Sequence, residues 1–426
     1  MNASLPTILN LSLPADSLKP TREPALAAFS QYGFPTRKLE NWKYTDLHRL
    51  LAGQHFTAAA TGGECAALPA GLPEGLKIIF VDGKLDTRHS DLADLPAGVT
   101  VESLNDASAL ALAALQQAQD YQQHPLLALN TALMSDGAII RIERGTRLTQ
   151  PLLLIYQCSA DADGQVHNYR NIIMAEAESC VMLLEIAQAC ANTRHLLNTV
   201  TQIQAAEQAE VQHYAVQTEV TGQQHIAQIQ VEQQRHSRVY SFNAALGAGL
   251  SRYDFHSKLI GEGAECLMDG VFVLRGKQHA DSHTCVEHIA SHTRSDQLYK
   301  GVVDQEAHGV FNGKAIAHSG SKGIRANQVN RNLLLSKAAA VDTKPELLMF
   351  TDDVQCSHGA TVGQLDEQAL FYMQSRGISV DEARGLLIQA FTMEVLTRIP
   401  VKTIETWLAG LVTAKMSQFN YLNRQA

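Results

Sequence analysis

RNIIMAEAESCVMLLEIAQACANTRHLLNTVTQIQAAEQAEVQHYAVQTEV, residues 170–220, decides the fold. It divides into short apolar runs, RNIIMAEAE, CVMLLEIAQ, NTVTQIQAAE and EVQHYAVQTEV, each bounded by small or polar residues. Several alternate apolar and polar positions, the signature of a half-buried β-strand. HIAQIQVEQQ (225–234), RVYSFNAAL (238–246) and GVFVLRG (270–276) continue the series. Helical start and stop signals are missing throughout this tract.

A turn followed by an apolar anchor recurs: EAESCV, EQAEV, QRHSRV, GEGAECL, QEAHGV and SKAAAV. The anchors are Val181, Val211, Val239, Leu267, Val310 and Val341. Their near-constant spacing, apart from one long step between Leu267 and Val310, points to stacked coils. That long step is expected to hold an insertion, the histidine-rich stretch 277–300. Proline supports the same reading. All twelve prolines lie at or before Pro151 or at or after Pro345. About five would be expected between those positions, and proline removes a ladder donor. A right-handed parallel β-helix accounts for strand length, spacing and missing proline together. An ordinary β-sandwich with accidental spacing is the alternative.

The flanks read differently. EPALAAFSQYGF (23–34) and ASALALAALQQAQDYQQHPLLALNTALM (107–134) are helical patterns, and TAAATGGECAALPAGLPEG (57–75) is a loop or linker. KIIFVDGKL (77–85) is a hairpin around Asp82-Gly83. After Pro345 the helical period returns. DEQALFYMQSR (366–376) stops at Gly377, a C′ cap, and Ser379 with Glu382 forms a capping box. VKTIETWLAGLVTAKM (401–416) is a last amphipathic helix. The expected organisation is a helical or mixed N-terminal domain (1–135), a β-helix core (136–350) and a C-terminal helical domain (351–426). The helical units cap ends that would otherwise be open sheet edges.

Composition removes several function classes. The 426 residues are 45% hydrophobic and 18% charged, with net charge −9. Such a chain is neither disordered nor collagen-like, and it lacks the basic excess of a nucleic-acid binder. No apolar run is long enough for a transmembrane helix. MNASLPTILNLSLPAD has no basic n-region, so no signal peptide is read. Seven scattered cysteines without a CxxC pair suit free thiols in a reducing cytoplasm. No GxxxxGK[ST], GxSxG or strand-following GxGxxG is present.

Two constellations carry ligand chemistry. His279, Asp281, His283, Cys285 and Glu287 alternate, so one strand face displays all five. Such a row suits a transition metal, or else is a solvated polar ladder, since same-face neighbours about 7 Å apart rarely close a tetrahedral site. His288, His292, His308 and His318 nearby add no recognisable ligand spacing. In FTDDVQCSHGATVG (350–363), Cys356 and His358 share an extended face. Thiolate and imidazole suit iron, zinc or copper, but two ligands need more from a partner. The Asp352-Asp353 pair is a turn rather than a catalytic carboxylate pair. A β-helix carbohydrate-active enzyme and a self-contained histidine-rich metal-binding protein therefore stand as rival readings.

NRNLLLSKAAAVDTKPELLMFTDDVQCSHGATVGQLDEQALFYMQSRGISVDEARGLLIQAF (330–391) closely resembles the C-terminal segment of the SufB/SufD family of iron–sulfur cluster assembly scaffolds. RKLENWKYTDL (37–47), GVFNGKAIAH (309–318) and HTCVEHIASHTRSDQLYKG (283–301) match the same family, most like its SufD branch. B-type chains carry in this region a cysteine and an acidic residue thought to hold the nascent cluster. Here the corresponding strand reads Asn330-Arg331-Asn332, and Gly359 follows His358. The resemblance implies a non-enzymatic, cytoplasmic scaffold that pairs with SufB through the β-helix. It implies docking of the SufC ATPase on the C-terminal helical domain, with 366–394 as the SufC-facing part. His358 and Cys356 become candidate nascent-cluster ligands at the SufB interface. The Fe–S cluster is then a transient passenger of the complex, not a stable cofactor of the isolated chain, which could instead form a homodimer.

Overall fold

In the computed structural model, residues 7–9, 13, 16–58, 63, 67–68, 71–106, 120–189, 193–218 and 222–419 are described. From Leu152 onward the chain winds as a parallel β-solenoid. Strands alternate between two sheets. Gln165–Ala175, Leu196–Ala205, Gln224–Gln233, Leu250–Leu259, His279–His288, His308–Ala317 and Ala340–Met349 line one sheet. Leu152–Cys158, Cys180–Ala189, Glu210–Gln217, Arg238–Ala245, Glu265–Leu274, Arg294–Val303, Ile324–Leu334 and Val354–Gly363 line the other. One coil takes between 26 residues, from Gln224 to its partner Leu250, and 32, from His308 to Ala340.

The repeat has a backbone cause. Glu178, Gln208, His236, Gly263, His292 and Gly323 all have positive φ, at corresponding corners of successive coils. An L-residue with a side chain is strained there, and the corners are held by unbranched polar residues, histidine or glycine, with no β-branched residue among them. At Gly263 an added Cβ would lie 2.3 Å from the His236 ring of the coil below.

Val181, Val211 and Val239 pair in register and are buried. Beyond Val239 the anchors drift. Val239 pairs with Cys266, not Leu267, and Val310 and Val341 belong to the other sheet. The long step is therefore a crossing from one sheet to the other, not an insertion. His279–His288 and Arg294–Val303 are ordinary rungs. The expected boundary after residue 350 also falls short. Val354–Gly363 pairs along its whole length with Ile324–Leu334, so the solenoid runs to Gly363.

One end of the solenoid is covered. Helix α1 (Lys19–Tyr32) packs on α2 (Pro125–Leu133), and Phe29, Trp42, Leu47, Phe56 and Leu129 rest on Val166, Leu196, Ile226 and Leu250. Buried Arg22 donates to the carbonyls of Ala132 and Met134, which terminate α2. N-terminal strands extend both sheets: His55–Ala58 and Ala138–Ile142 join one, Leu76–Val81 the other. The hairpin at Asp82-Gly83 is present, with Phe80 opposite Leu85. The helical pattern at 107–119 and about half of the 57–75 linker (59–62, 64–66 and 69–70) lie outside the described residues.

Helices α3 (Glu367–Ser375), α4 (Val380–Leu396) and α5 (Lys402–Ser417) follow the solenoid. Gly377 has positive φ after α3, and the Ser379 hydroxyl accepts the Glu382 N–H, as the capping residues require. Ile388, Val395, Leu408 and Val412 bury against Tyr214, Phe242, Val271 and Leu298 on the outer face of one sheet. Lys300, buried there, donates to the Phe391 carbonyl and pairs with Glu394.

Candidate functional site at the open end of the solenoid

The covered end contrasts with the other. Ala340–Met349 and Val354–Gly363 are the last strands of their sheets, and no described strand pairs beyond them. The edge can be read atom by atom. Ile324 N–H donates to the Asp353 carbonyl (3.1 Å), and bonds to the two sides alternate along a parallel strand. The N–H and C=O groups of Cys356, His358, Ala360 and Val362 therefore face away from the sheet, as does the Val354 C=O, while the Val354 N–H turns back to the Asp352 carbonyl (3.1 Å). On the other edge Ala340 and Phe350 N–H bond inward, to Ala307 and Ala317. Val341, Thr343, Pro345, Leu347 and Met349 thus present the outward groups. Pro345 sits where its missing N–H costs no ladder bond, the position proline takes on edge strands.

Side chains of the two candidate ligands do share a face. Cys356 pairs with Ala326 and His358 with Gln328, both buried residues of the interior column. Both candidates thus lie over the interior at its open mouth. Cys356 is half-buried, and its Sγ lies 3.6 Å from the Met349 Sδ of the opposite sheet. Burial raises its thiol pKa, partly countered by the Ala326 N–H. His358 is exposed. Asn330 and Asn332 point into the interior, and both amide nitrogens are bonded there, whereas the buried Asn332 Oδ1 has no partner. Asn330 Nδ2 donates to the Tyr299 carbonyl (3.2 Å), and Asn332 Nδ2 to Asn330 Oδ1 (2.6 Å). Large apolar side chains border the mouth: Phe350 is 64% exposed, and Leu348 and Val362 are also exposed.

The histidine row lies on one face of its strand, as its alternation requires, but its members are already engaged. Thr45 Oγ1 bonds both His279 Nε2 (2.8 Å) and the Asp281 carboxylate. Arg252 bridges Asp281 (2.5 Å) and Asp254 (2.8 Å). Trp42 covers the Arg252 guanidinium, 3.8 Å from the ring centroid. Farther along, Glu287 accepts from His256 (2.7 Å) and His318 (2.8 Å). The segment 37–47 is thus a clamp that locks the N-terminal unit onto the solenoid. Sequence reasoning missed this role, although Trp42 and Thr45 stand inside the matched motif. Asp353 behaves as a turn residue, its carboxylate accepting the Gly323 N–H (3.0 Å).

On α3 no residue is buried. Phe371 is 73% exposed, and Tyr372, Val380 and Leu386 on α3 and α4 are exposed too. These residues fall within the segment 366–394.

Comparison with known proteins agrees with this architecture. Residues 157–391 match the family model of the SUF system FeS cluster assembly, SufBD core domain. Residues 11–63 and 72–154 match the SufBD protein N-terminal region. An iron–sulfur cluster assembly SufBD family protein of Synechocystis is 31% identical over 92% of this chain and 90% of its own length. The iron–sulfur cluster assembly protein SufD of Escherichia coli is 30% identical over 88% of each chain. That of Bacillus subtilis is 27% identical over 69% of this chain and 67% of its own. With the core and N-terminal models covering solenoid and clamp alike, the chain belongs to the SufBD family of iron–sulfur cluster assembly proteins and is SufD-like.

Proposed function

We propose that this chain is a non-catalytic scaffold subunit of the SUF assembly machinery. It pairs with SufB along the open solenoid edge and binds the SufC ATPase through α3 and α4. Its setting is the cytoplasm, and the nascent Fe–S cluster is cargo held only within the complex. The open edge carries this reading. Unpaired backbone on a full ten-residue strand, Val354–Gly363, is a template for strand addition. No helix of the described residues is long and apolar enough to cross a membrane. Among the described residues, Cys158, Cys180, Cys266, Cys285 and Cys356 are free thiols.

A strand added beside Val354–Gly363 pairs with the backbone of Cys356 and His358 and so brings partner side chains to their imidazole and thiol. Two ligands cannot close a site, and the partner supplies the remainder. His358 is the borderline nitrogen ligand and Cys356 the secondary thiol. The exposed aromatics Phe371 and Tyr372 supply the apolar patch that SufC covers.

The test uses co-expression with SufB and SufC. Ala360→Pro deletes an outward N–H and leaves this chain's own ladder intact, so the chain should fold and SufB recovery should drop. Thr361→Pro removes an inward bond and should instead destabilise the chain itself. His358→Ala should leave the three proteins together but lower the iron and sulfide they carry. Full SufB recovery with a folded Ala360→Pro chain would overturn the edge-pairing reading. An assembled His358→Ala complex with undiminished iron and sulfide would overturn the ligand role.

A further inference from the structure

At the covered end, Asp82, Cys158 and His167 place a carboxylate oxygen, a sulfur and an imidazole nitrogen within 4.8 Å of one another, all three buried. Each comes from a different strand or turn. Asp82 is the first residue of the hairpin turn, with φ 45°. Cys158 ends the first solenoid strand, and His167 lies in the next, pointing inward in register with buried Leu197.

His167 has no exposed surface, and neither ring nitrogen has a hydrogen-bond partner. A buried imidazole without partners has lost its hydration with nothing in return, so native proteins rarely keep one. His195 lies alongside, its ring centroid 5.9 Å from that of His167. Its Nδ1 meets Thr193 Oγ1 at 3.2 Å, while its buried Nε2 also has no partner. Asp82 is held in place by Ser159, whose N–H and Oγ donate to the two carboxylate oxygens (2.8 and 2.5 Å). A carboxylate has further lone pairs, so both bonds are compatible with metal ligation. The Gly63 backbone closes over the group: an added Cβ would lie 1.8 Å from Asp82 Oδ2.

We propose that Asp82, Cys158 and His167 bind a divalent transition-metal ion of the Zn²⁺ type, with the neighbouring His195 ring moving in to supply the fourth ligand. Sulfur, imidazole and carboxylate together form the donor set of borderline ions, and closed four-coordinate sites are structural. Ligand atoms around such an ion sit roughly 3.4–3.7 Å apart, so the group contracts by about 1 Å on binding. The ion would join hairpin, first strand and second strand, stapling the N-terminal unit to the solenoid. This site is remote in sequence and in the stack from Cys356 and His358, and independent of any cluster.

The full-length chain, produced with Zn²⁺ in the medium and dialysed extensively, is assayed for zinc by mass spectrometry. One ion per chain is expected, retained in His358→Ala and reduced to background in His167→Ala. The chain produced with Co²⁺ instead should show a thiolate-to-cobalt charge-transfer band in the near ultraviolet, absent from Cys158→Ser. Chelation under mild denaturant should lower the melting temperature of the parent and not of a folded His167→Ala. A parent chain with background zinc and no cobalt charge-transfer band refutes the site, whether or not the variants fold. So does a band that persists undiminished in Cys158→Ser.

Discussion

Replacing Asp281 by alanine strips the clamp of its centre. Asp281 and Arg252 each keep 1% of their side-chain surface in water and meet at 2.5 Å. Burial pushes the Asp281 carboxyl up, but the Arg252 guanidinium, aided by His283, outweighs it and holds the carboxyl far below the ordinary carboxylate range. Removing one partner of a buried pair costs about 3–5 kcal/mol, because the other charge is left uncompensated. Arg252 still keeps Asp254, so the lower end applies, about 3 kcal/mol. The loss is local, since Thr45 and Trp42 are what Asp281 and Arg252 hold. At about 1.4 kcal/mol per decade, the amides of residues 40–52 should exchange roughly a hundredfold faster by hydrogen–deuterium exchange. Amides of α4, on the far side of the solenoid, should keep the parent rate. Asp281→Asn retains an acceptor for Thr45 and should lie between the two. Exchange at 40–52 within threefold of the parent in Asp281→Ala would refute the clamp.

Two further outcomes follow from the ladder and its surface pairs. Val239→Pro removes the N–H that Val239, buried between Val211 and Cys266, gives to the next rung. That should cost on the order of 3 kcal/mol or more and lower soluble yield, and parent-like urea unfolding would argue against it. The His256–Glu287 pair should give a pH-dependent stability. Burial lowers the His256 pKa, but Cys285 and Glu287 outweigh it and take it to about 9, while His256, against burial, takes Glu287 down to about 2. The histidine's contribution is complete below its unfolded value of about 6.5 and is lost as pH rises through 9. The glutamate's is complete above about 4.5 and is lost as pH falls through 2. The His256 side chain is 39% exposed, so the pair is worth roughly 0.5–1 kcal/mol. The melting-temperature difference between parent and His256→Gln should therefore peak between these pKa values, near pH 5–6, and shrink toward pH 9. A flat difference across that range would contradict the assignment.

The solenoid was legible because its cause is local. Each corner needs a left-handed residue and each rung an inward apolar one, and both leave a mark at a fixed spacing. The sequence could not reveal which of the two sheets an anchor belongs to, since both obey the same alternation. Hence spacing alone assigns Val310 and Val341 to a column they do not share. Cys356 and His358 could be placed on one face by parity alone. That they lie over the interior mouth needed the registers of Ala326 and Gln328. The pairing of Asp281 with Arg252 was out of reach for a different reason. Twenty-nine residues separate them, one full coil, and only the stacking brings them together. The Asp82, Cys158 and His167 group joins three segments by the same route. No motif spacing encodes it, and only the partnerless nitrogens of His167 mark it.

The two open edges are not equivalent, and the difference bears on how a partner would approach. AVDTKPELLM (340–349) carries Asp342, Lys344, Pro345 and Glu346. Charge and proline on an edge strand discourage strand addition. Lys344 is further occupied, pairing with Glu346 (2.8 Å) and with Glu40 (2.5 Å) of the clamp segment. VQCSHGATVG (354–363) contains no Asp, Glu, Lys, Arg or Pro. From Cys356 to Val362 no proline interrupts its outward N–H groups, and its own Val362 and nearby Phe350 are apolar and exposed. A chain that protects one edge and leaves the adjacent one unprotected has its aggregation hazard confined to a single strand. Such a strand stays soluble in the long term when another chain covers it. The unprotected strand is also the one that holds Cys356 and His358, so under the proposed function a partner that satisfies the backbone arrives in register with both candidate ligands. On that proposal strand pairing and ligand assembly are one event, and a cluster site completed that way would exist only while the subunits are joined.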